Sequence, residues 1–168
     1  MGACYTGTGG WNRRPAPGRE TIATERRMTD PEHLPPPPGK SHWEWRLSAA
    51  RLIAARLDPA RLGVVACYLI GSTKNAVAGP CSDIDLVIHV RGDESQRDAL
   101  LAELRRWNPV LDQWNFERTG QRCGELLDIH LVTDDDIARR SSFAVRISAV
   151  SDRAWLLPIG TESGTSEQ

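Results

Sequence analysis

The chain has 168 residues, with 21 Lys and Arg against 22 Asp and Glu and a formal net charge of −1. This length fits one ordinary domain with a tail. The balanced charge excludes a protein that coats nucleic acid or an anionic membrane through bulk charge. The longest apolar run, residues 62–70, has about half of the roughly 20 residues that a membrane helix needs. We therefore expect a globular protein without a transmembrane segment or a signal peptide.

The cysteines give the first indication of the cellular compartment. They are Cys4, Cys67, Cys81 and Cys123, and none belongs to a C-x-x-C pair or to a His and Cys spacing typical of zinc. Cys67 lies in an apolar segment and is predicted to be a buried thiol. Because no export signal is found, the sequence predicts reduced cysteines and a cytoplasmic protein.

Composition divides the chain into a tail and a folded part. Residues 1–40 are rich in glycine and proline, include four consecutive prolines at 35–38, and hold few aliphatic side chains. Such a segment buries too little surface to offset the entropy lost on ordering. We predict a disordered tail over 1–40, a folded domain over 41–158 and a flexible C-terminal tail over 159–168.

The folded domain is predicted to open with a helix and a strand. Ser41 and Glu44 form a capping box, and apolar residues at helical spacing continue to about Leu57. The apolar segment from Val64 to Ile70 has a glycine on each side, which is typical of a buried strand.

The helical and strand spacings of apolar residues predict the elements of the rest of the chain. In order, they predict a strand at 83–90, a helix at 94–107, a weaker strand at 110–117, a strand at 125–132, a short helix capped by Thr133 and a helix between 141 and 150. This mixture predicts an α/β (α+β) fold in which helices flank a small mixed sheet.

Two of the predicted strands carry acidic residues. Asp83 and Asp85 share one face of a strand, so their backbones are roughly 7 Å apart. Two like charges there repel each other unless a cation lies between them, and paired oxygen ligands suit Mg²⁺. If Asp128 lies on a neighbouring strand, three carboxylates converge as in a two-metal phosphoryl-transfer site. A solvated strand face is the alternative, and His130 either borders this site or is a structural histidine.

A glycine and a serine follow the first predicted strand. Gly71 would let the backbone approach a polyphosphate closely, and Ser72 and free backbone N–H groups could donate to phosphate oxygens. Lys74 could neutralise a β- or γ-phosphate. The alternatives are a turn cap for Ser72 and a solvated loop position for Lys74.

These residues resemble a known signature. Gly71-Ser72, ten intervening residues and then Asp83-Ile84-Asp85 resemble the G-S-x10-D-x-D pattern of the DNA-polymerase-β-like nucleotidyltransferase superfamily. Ser82 before the first acid and Asp128 on a later strand fit the same pattern. The resemblance covers about residues 62–133 and is greatest to the small stand-alone members, the minimal nucleotidyltransferases.

The resemblance implies an activity and a set of site residues. It implies transfer of a nucleoside monophosphate, AMP in the first instance, from an NTP such as ATP to a hydroxyl on a protein or small molecule. The implied metal is Mg²⁺ as two ions, with Mn²⁺ as a substitute. The implied catalytic and metal-binding residues are Asp83, Asp85 and Asp128, and the implied nucleotide-binding residues are Gly71, Ser72, Lys74 and Ser82.

The resemblance also leaves alternative functions open. Minimal members act as antitoxins that transfer AMP to a HEPN-type toxin, so the chain could instead act mainly by binding such a protein partner. A catalytically inactive NTP-binding regulatory domain is the other alternative. We expect no membrane partner. The balanced charge disfavours a nucleic-acid partner without excluding one, and the sequence leaves a homo-oligomer open.

Overall fold

The structure, a computed structural model, describes residues 30–160. The predictions for Cys4, for the tail before residue 30 and for the last eight residues lie outside this range. The chain divides into two units, residues 1–34 and 35–168. The described part of the first unit holds one 3₁₀ turn, Pro31–His33.

The second unit mixes helices and strands. Its helices are α1 His42–Arg56, α2 Pro59–Leu62, α3 Gly71–Lys74, α4 Glu94–Arg105, α5 Trp107–Thr119, α6 Asp134–Ala138 and α7 Ala144–Ile147. Its strands are β1 Val64–Ile70, β2 Ile84–Val90, β3 Leu127–Val132 and β4 Trp155–Leu157. Within residues 30–160, no helix combines the length and the apolar character needed to cross a membrane.

The four strands form one mixed sheet in the order β3-β2-β1-β4. Strand β1 runs antiparallel to both β2 and β4, whereas β2 and β3 run parallel. The chain reaches β3 from β2 through α4 and α5, as a parallel connection requires. The β2–β3 register pairs Asp85 with Asp128, and the β1–β2 register pairs Ile70 with Asp85. The end of β1 and the starts of β2 and β3 therefore meet at one place.

Both faces of the sheet are partly covered. On β2, Ile84, Leu86 and Ile88 are completely buried on one face, and α1 contacts this strand. Burying each such side chain contributes roughly 1.5–3 kcal/mol. The opposite face of β2 holds Asp85 and Val87, and a smaller apolar cluster surrounds Val87. The site thus lies on the face with the smaller core.

Local signals predicted several elements correctly. The Ser41 capping box is confirmed, and so are the strands predicted at 64–70, 83–90 and 125–132, which correspond to β1, β2 and β3. Thr133 caps α6 through a capping box with Asp136. The three acids at 134–136 thus form the first turn of a helix. The helix expected between 141 and 150 shortens to α7, and the three-residue strand β4 was not predicted.

The strand predicted at 110–117 is wrong, because these residues belong to α5. Pro109 is the third residue of this helix, where its missing N–H has no intrahelical partner to lose. Val110, Leu111 and Trp114 are buried at positions i, i+1 and i+4, which is a helical spacing. The prediction read Pro109 as the end of one helix rather than as part of the first turn of the next.

The prediction of reduced cysteines is wrong for two of them. Cys81 and Cys123 form a disulfide whose Cα atoms are 5.6 Å apart, although 42 positions separate them in sequence. Their spacing carries no local signal, since only the folded chain brings them together. Cys67 is a free, completely buried thiol as predicted, and burial raises its pKa to about 12.

Candidate active site

Parallel pairing of β2 and β3 brings two of the predicted acids together. Asp85 and Asp128 are direct partners in the register, so their side chains leave the sheet on the same face. One oxygen of each lies within 4.8 Å of the other and of a ring nitrogen of His130. The neighbouring strands that the sequence argument required are therefore present.

Asp83 lies just before β2 and is exposed, and it is not part of the 4.8 Å group. Partial desolvation of its carboxyl group and repulsion by Asp128 raise the pKa of Asp83, and the attraction of Arg46 opposes this rise. Burial, Asp128 and Asp83 likewise raise the pKa of Asp85, while His130 and Arg146 oppose the rise. The surroundings of Asp83 and Asp85 therefore disfavour the charged forms of both carboxylates.

His130 belongs to this cluster, whereas the sequence left open whether it borders the site or is a structural histidine. Its Nε2 atom lies 3.2 Å from Oδ2 of Asp128, and its ring stacks on Phe143 with centroids 3.7 Å apart. The available signal was the two-residue spacing from Asp128, which puts both side chains on one face of β3. Stacking and the carboxylate contact together fix the orientation of the imidazole.

Gly71 forms a corner directly against the acids. Its φ of +73° is a left-handed conformation, and a Cβ atom there would lie 2.1 Å from Oδ2 of Asp85. A side chain at this position would be strained by the backbone conformation and would displace the Asp85 carboxylate. Next to it, Thr73 is buried and donates to the carbonyl of Asp83 at 3.4 Å, which joins the corner to the segment before β2.

The other predicted nucleotide-binding residues differ in whether their side chains form hydrogen bonds within the chain. Within residues 30–160, the Ser72 hydroxyl has no hydrogen-bond partner. The Lys74 ammonium is bonded to Asp152 and to the carbonyl of Arg153 at 3.2 Å, and only 5% of its side chain is exposed. The Ser82 hydroxyl accepts a hydrogen bond from the N–H of Gly79 at 2.8 Å. The side chains of Lys74 and Ser82 thus already have hydrogen-bond partners within the chain.

Arg46 is a site-supporting residue that the sequence argument missed. It is completely buried, and it donates to the carbonyls of Pro80 and Ser82 at 2.7 and 2.8 Å and to Oδ1 of Asn115 at 3.0 Å. Burial lowers the pKa of Arg46 to about 10, against the attraction of Asp83. The signal was an arginine on the buried stripe of α1, where a cation needs partners from elsewhere in the chain.

A family model for nucleotidyltransferase domains matches residues 48–150, which is more than half of the chain. The chain belongs to the nucleotidyltransferase domain family. The match spans the corner at Gly71 and the acids Asp83, Asp85 and Asp128, and the mixed four-stranded sheet with its helices is consistent with the nucleotidyltransferase fold. No curated protein and no solved structure matches this nucleotidyltransferase. Family membership supports transfer of a nucleoside monophosphate as its general activity.

Proposed function

We propose that this nucleotidyltransferase moves AMP from ATP to a hydroxyl acceptor on a protein or small molecule, with release of pyrophosphate. The observation that carries the proposal is the convergence of Asp85, Asp128 and His130 within 4.8 Å beside Gly71. The proposal accounts for the close packing of a carboxylate against a glycine at which a side chain would displace that carboxylate.

The donor set fits divalent cations. Asp83, Asp85 and Asp128 supply hard oxygen ligands of the kind that Mg²⁺ prefers, and Mn²⁺ also accepts an imidazole such as that of His130. Burial and the neighbouring carboxylates raise the pKa values of Asp83 and Asp85, and a bound cation would offset both effects by stabilising the charged forms. We propose that these residues would hold two Mg²⁺ ions, which would neutralise charge on the phosphates when bound.

The protein side chains would contribute positioning and proton transfer. The free hydroxyl of Ser72 would donate to the β- or γ-phosphate beside the Gly71 corner. Lys74 would reach a phosphate only by exchanging its contact with Asp152 for one with a phosphate oxygen. Asp128, on the outer strand of the cluster, would accept the proton of the acceptor hydroxyl and orient its oxygen.

The test uses ATP labelled in the α-phosphate. We expect label to pass to an acceptor supplied as a cell extract or as a co-purified partner, and the double variant Asp83→Asn with Asp85→Asn to transfer none. The matched control is Asp135→Asn, an exposed acid in the first turn of α6. Equal transfer by the double variant and the wild type would contradict the proposal.

The same experiment separates the alternatives. ATP binding by calorimetry without transfer to any acceptor would favour an inactive NTP-binding domain. Transfer confined to one co-purified helical protein would favour an antitoxin-type pair. Transfer to a small hydroxyl compound would favour a metabolite-modifying enzyme.

A further inference from the structure

The two loops that lead into the acidic cluster are joined covalently. Cys81 lies two residues before Asp83, and Cys123 lies five residues before Asp128. The disulfide between them connects the segment entering β2 to the segment entering β3. The bond therefore links the backbone that carries Asp83 to the backbone that carries Asp128.

A network of hydrogen bonds around Arg46 also joins the same two loops. Arg46 donates to the carbonyls of Pro80 and Ser82 and to Asn115. Asn115 in turn donates to the carbonyl of Gln121 at 2.9 Å and contacts the Cys123 sulfur at 3.2 Å. Opening the disulfide would leave this buried polar link in place, so we expect the loops to loosen without unfolding.

The disulfide is open to reductants. Cys81 is exposed and Cys123 is half-buried, whereas the remaining described cysteine, Cys67, is completely buried. A dithiol reductant would attack the exposed sulfur, form a mixed disulfide and then close on itself. The reductant loses two electrons and two protons, and the protein gains two thiols.

We infer that Cys81 and Cys123 are positioning residues: their disulfide sets the spacing between Asp83 and Asp128, and its reduction reversibly weakens binding of divalent cations and the transfer reaction. The inference rests on the proposed function, since it takes these acids as the metal ligands. Misplacement of a reacting group by about 1 Å can cost a hundredfold in rate, so a loosened loop is sufficient for a large effect.

The test compares redox forms of the full chain in a Cys4→Ser background, which removes the cysteine outside the described residues. Mn²⁺ affinity is measured by electron paramagnetic resonance for the oxidised protein, for protein reduced with dithiothreitol and desalted, and for reoxidised protein. We expect at least tenfold weaker Mn²⁺ binding after reduction and full recovery after reoxidation. Hydrogen exchange should quicken at residues 80–84 and 121–128, while far-ultraviolet circular dichroism stays unchanged.

A variant without the bond supplies the control. Cys81→Ser with Cys123→Ser should bind Mn²⁺ like the reduced protein and should not respond to reductant. If this variant does not fold, the reduced form of the parent chain provides the same comparison. Equal Mn²⁺ affinity in both redox forms, or loss of the whole fold on reduction, would overturn the inference alone. Absence of Mn²⁺ binding in the oxidised protein would overturn the proposed metal site, and the inference with it.

Discussion

Replacing Asp85 by asparagine is expected to stabilise the metal-free protein while abolishing transfer. One oxygen of Asp85 lies within 4.8 Å of an oxygen of Asp128. Two unit charges at that distance repel by about 0.9 kcal/mol in water and by about 3.5 kcal/mol at an effective dielectric constant near 20. Attraction to His130 and Arg146 offsets part of this repulsion. We therefore expect a gain of about 1–2 kcal/mol in the free energy of unfolding at neutral pH.

The direction of the pKa shift determines that Asp85→Asn raises the free energy of unfolding. Burial and neighbouring carboxylates raise the pKa of Asp85 above its usual 3.8, so the folded protein holds this proton more tightly than the unfolded chain does. Stability from this group is lost as pH rises from the unfolded value through the raised folded value. Above that window the ionised carboxylate destabilises the fold, and Asp85→Asn removes the cost. Below the unfolded value the two proteins should be equally stable.

Thermal unfolding in a chelator measures the effect. A gain of about 1–2 kcal/mol corresponds to a rise in Tm of roughly 3–8 °C for a domain of this size. Added Mg²⁺ should raise the Tm of the wild type and leave that of Asp85→Asn unchanged, and Asp135→Asn should behave like the wild type in both conditions. A lower Tm for Asp85→Asn in chelator would show that the ionised carboxylate does not destabilise the fold, and an equal response of both proteins to Mg²⁺ would show that Asp85 does not bind the metal.

Three further predictions concern the corner, the buried arginine and pH. Gly71→Ala should destabilise the protein by more than Gly120→Ala in urea unfolding, because both positions have positive φ but nothing lies within 4 Å of a Cβ at Gly120; the control should cost about 1 kcal/mol, and equal costs would argue against the contact with Asp85. Arg46→Met should cost at least about 3 kcal/mol in urea unfolding by leaving the carbonyls of Pro80 and Ser82 and Oδ1 of Asn115 without this donor; a cost under about 1 kcal/mol would contradict this. Mn²⁺ affinity should fall as pH falls, with its midpoint above 3.8, since the raised pKa values of Asp83 and Asp85 let protons compete earlier; a pH-independent titration would exclude these carboxylates as ligands.

Features with a local cause were predictable from the sequence. The strand periodicity of residues 83–90 and 125–132 placed Asp85 and Asp128 on polar faces, and a two-residue period leaves no other choice once one face is buried. The capping box at Ser41 and the helix cap at Thr133 were predictable for the same reason, because each depends on residues within four consecutive positions.

Features that depend on contacts between distant parts of the chain were not predictable from the sequence. The Cys81–Cys123 disulfide and the contact of Arg46 with the Pro80–Ser82 segment join residues more than thirty positions apart. The pairing of Lys74 with Asp152 likewise appears only in the fold. The sequence therefore predicted the strands that carry Asp85 and Asp128 but not the contacts that hold the loops leading into them.

The proposed metal site is tested best by a crystal structure grown with Mn²⁺ and a non-hydrolysable ATP analogue, in which anomalous scattering locates the metal. We expect manganese in contact with Asp83, Asp85 and Asp128, with the triphosphate beside Gly71. Manganese bound away from these carboxylates, or a nucleotide on another face of the sheet, would contradict it.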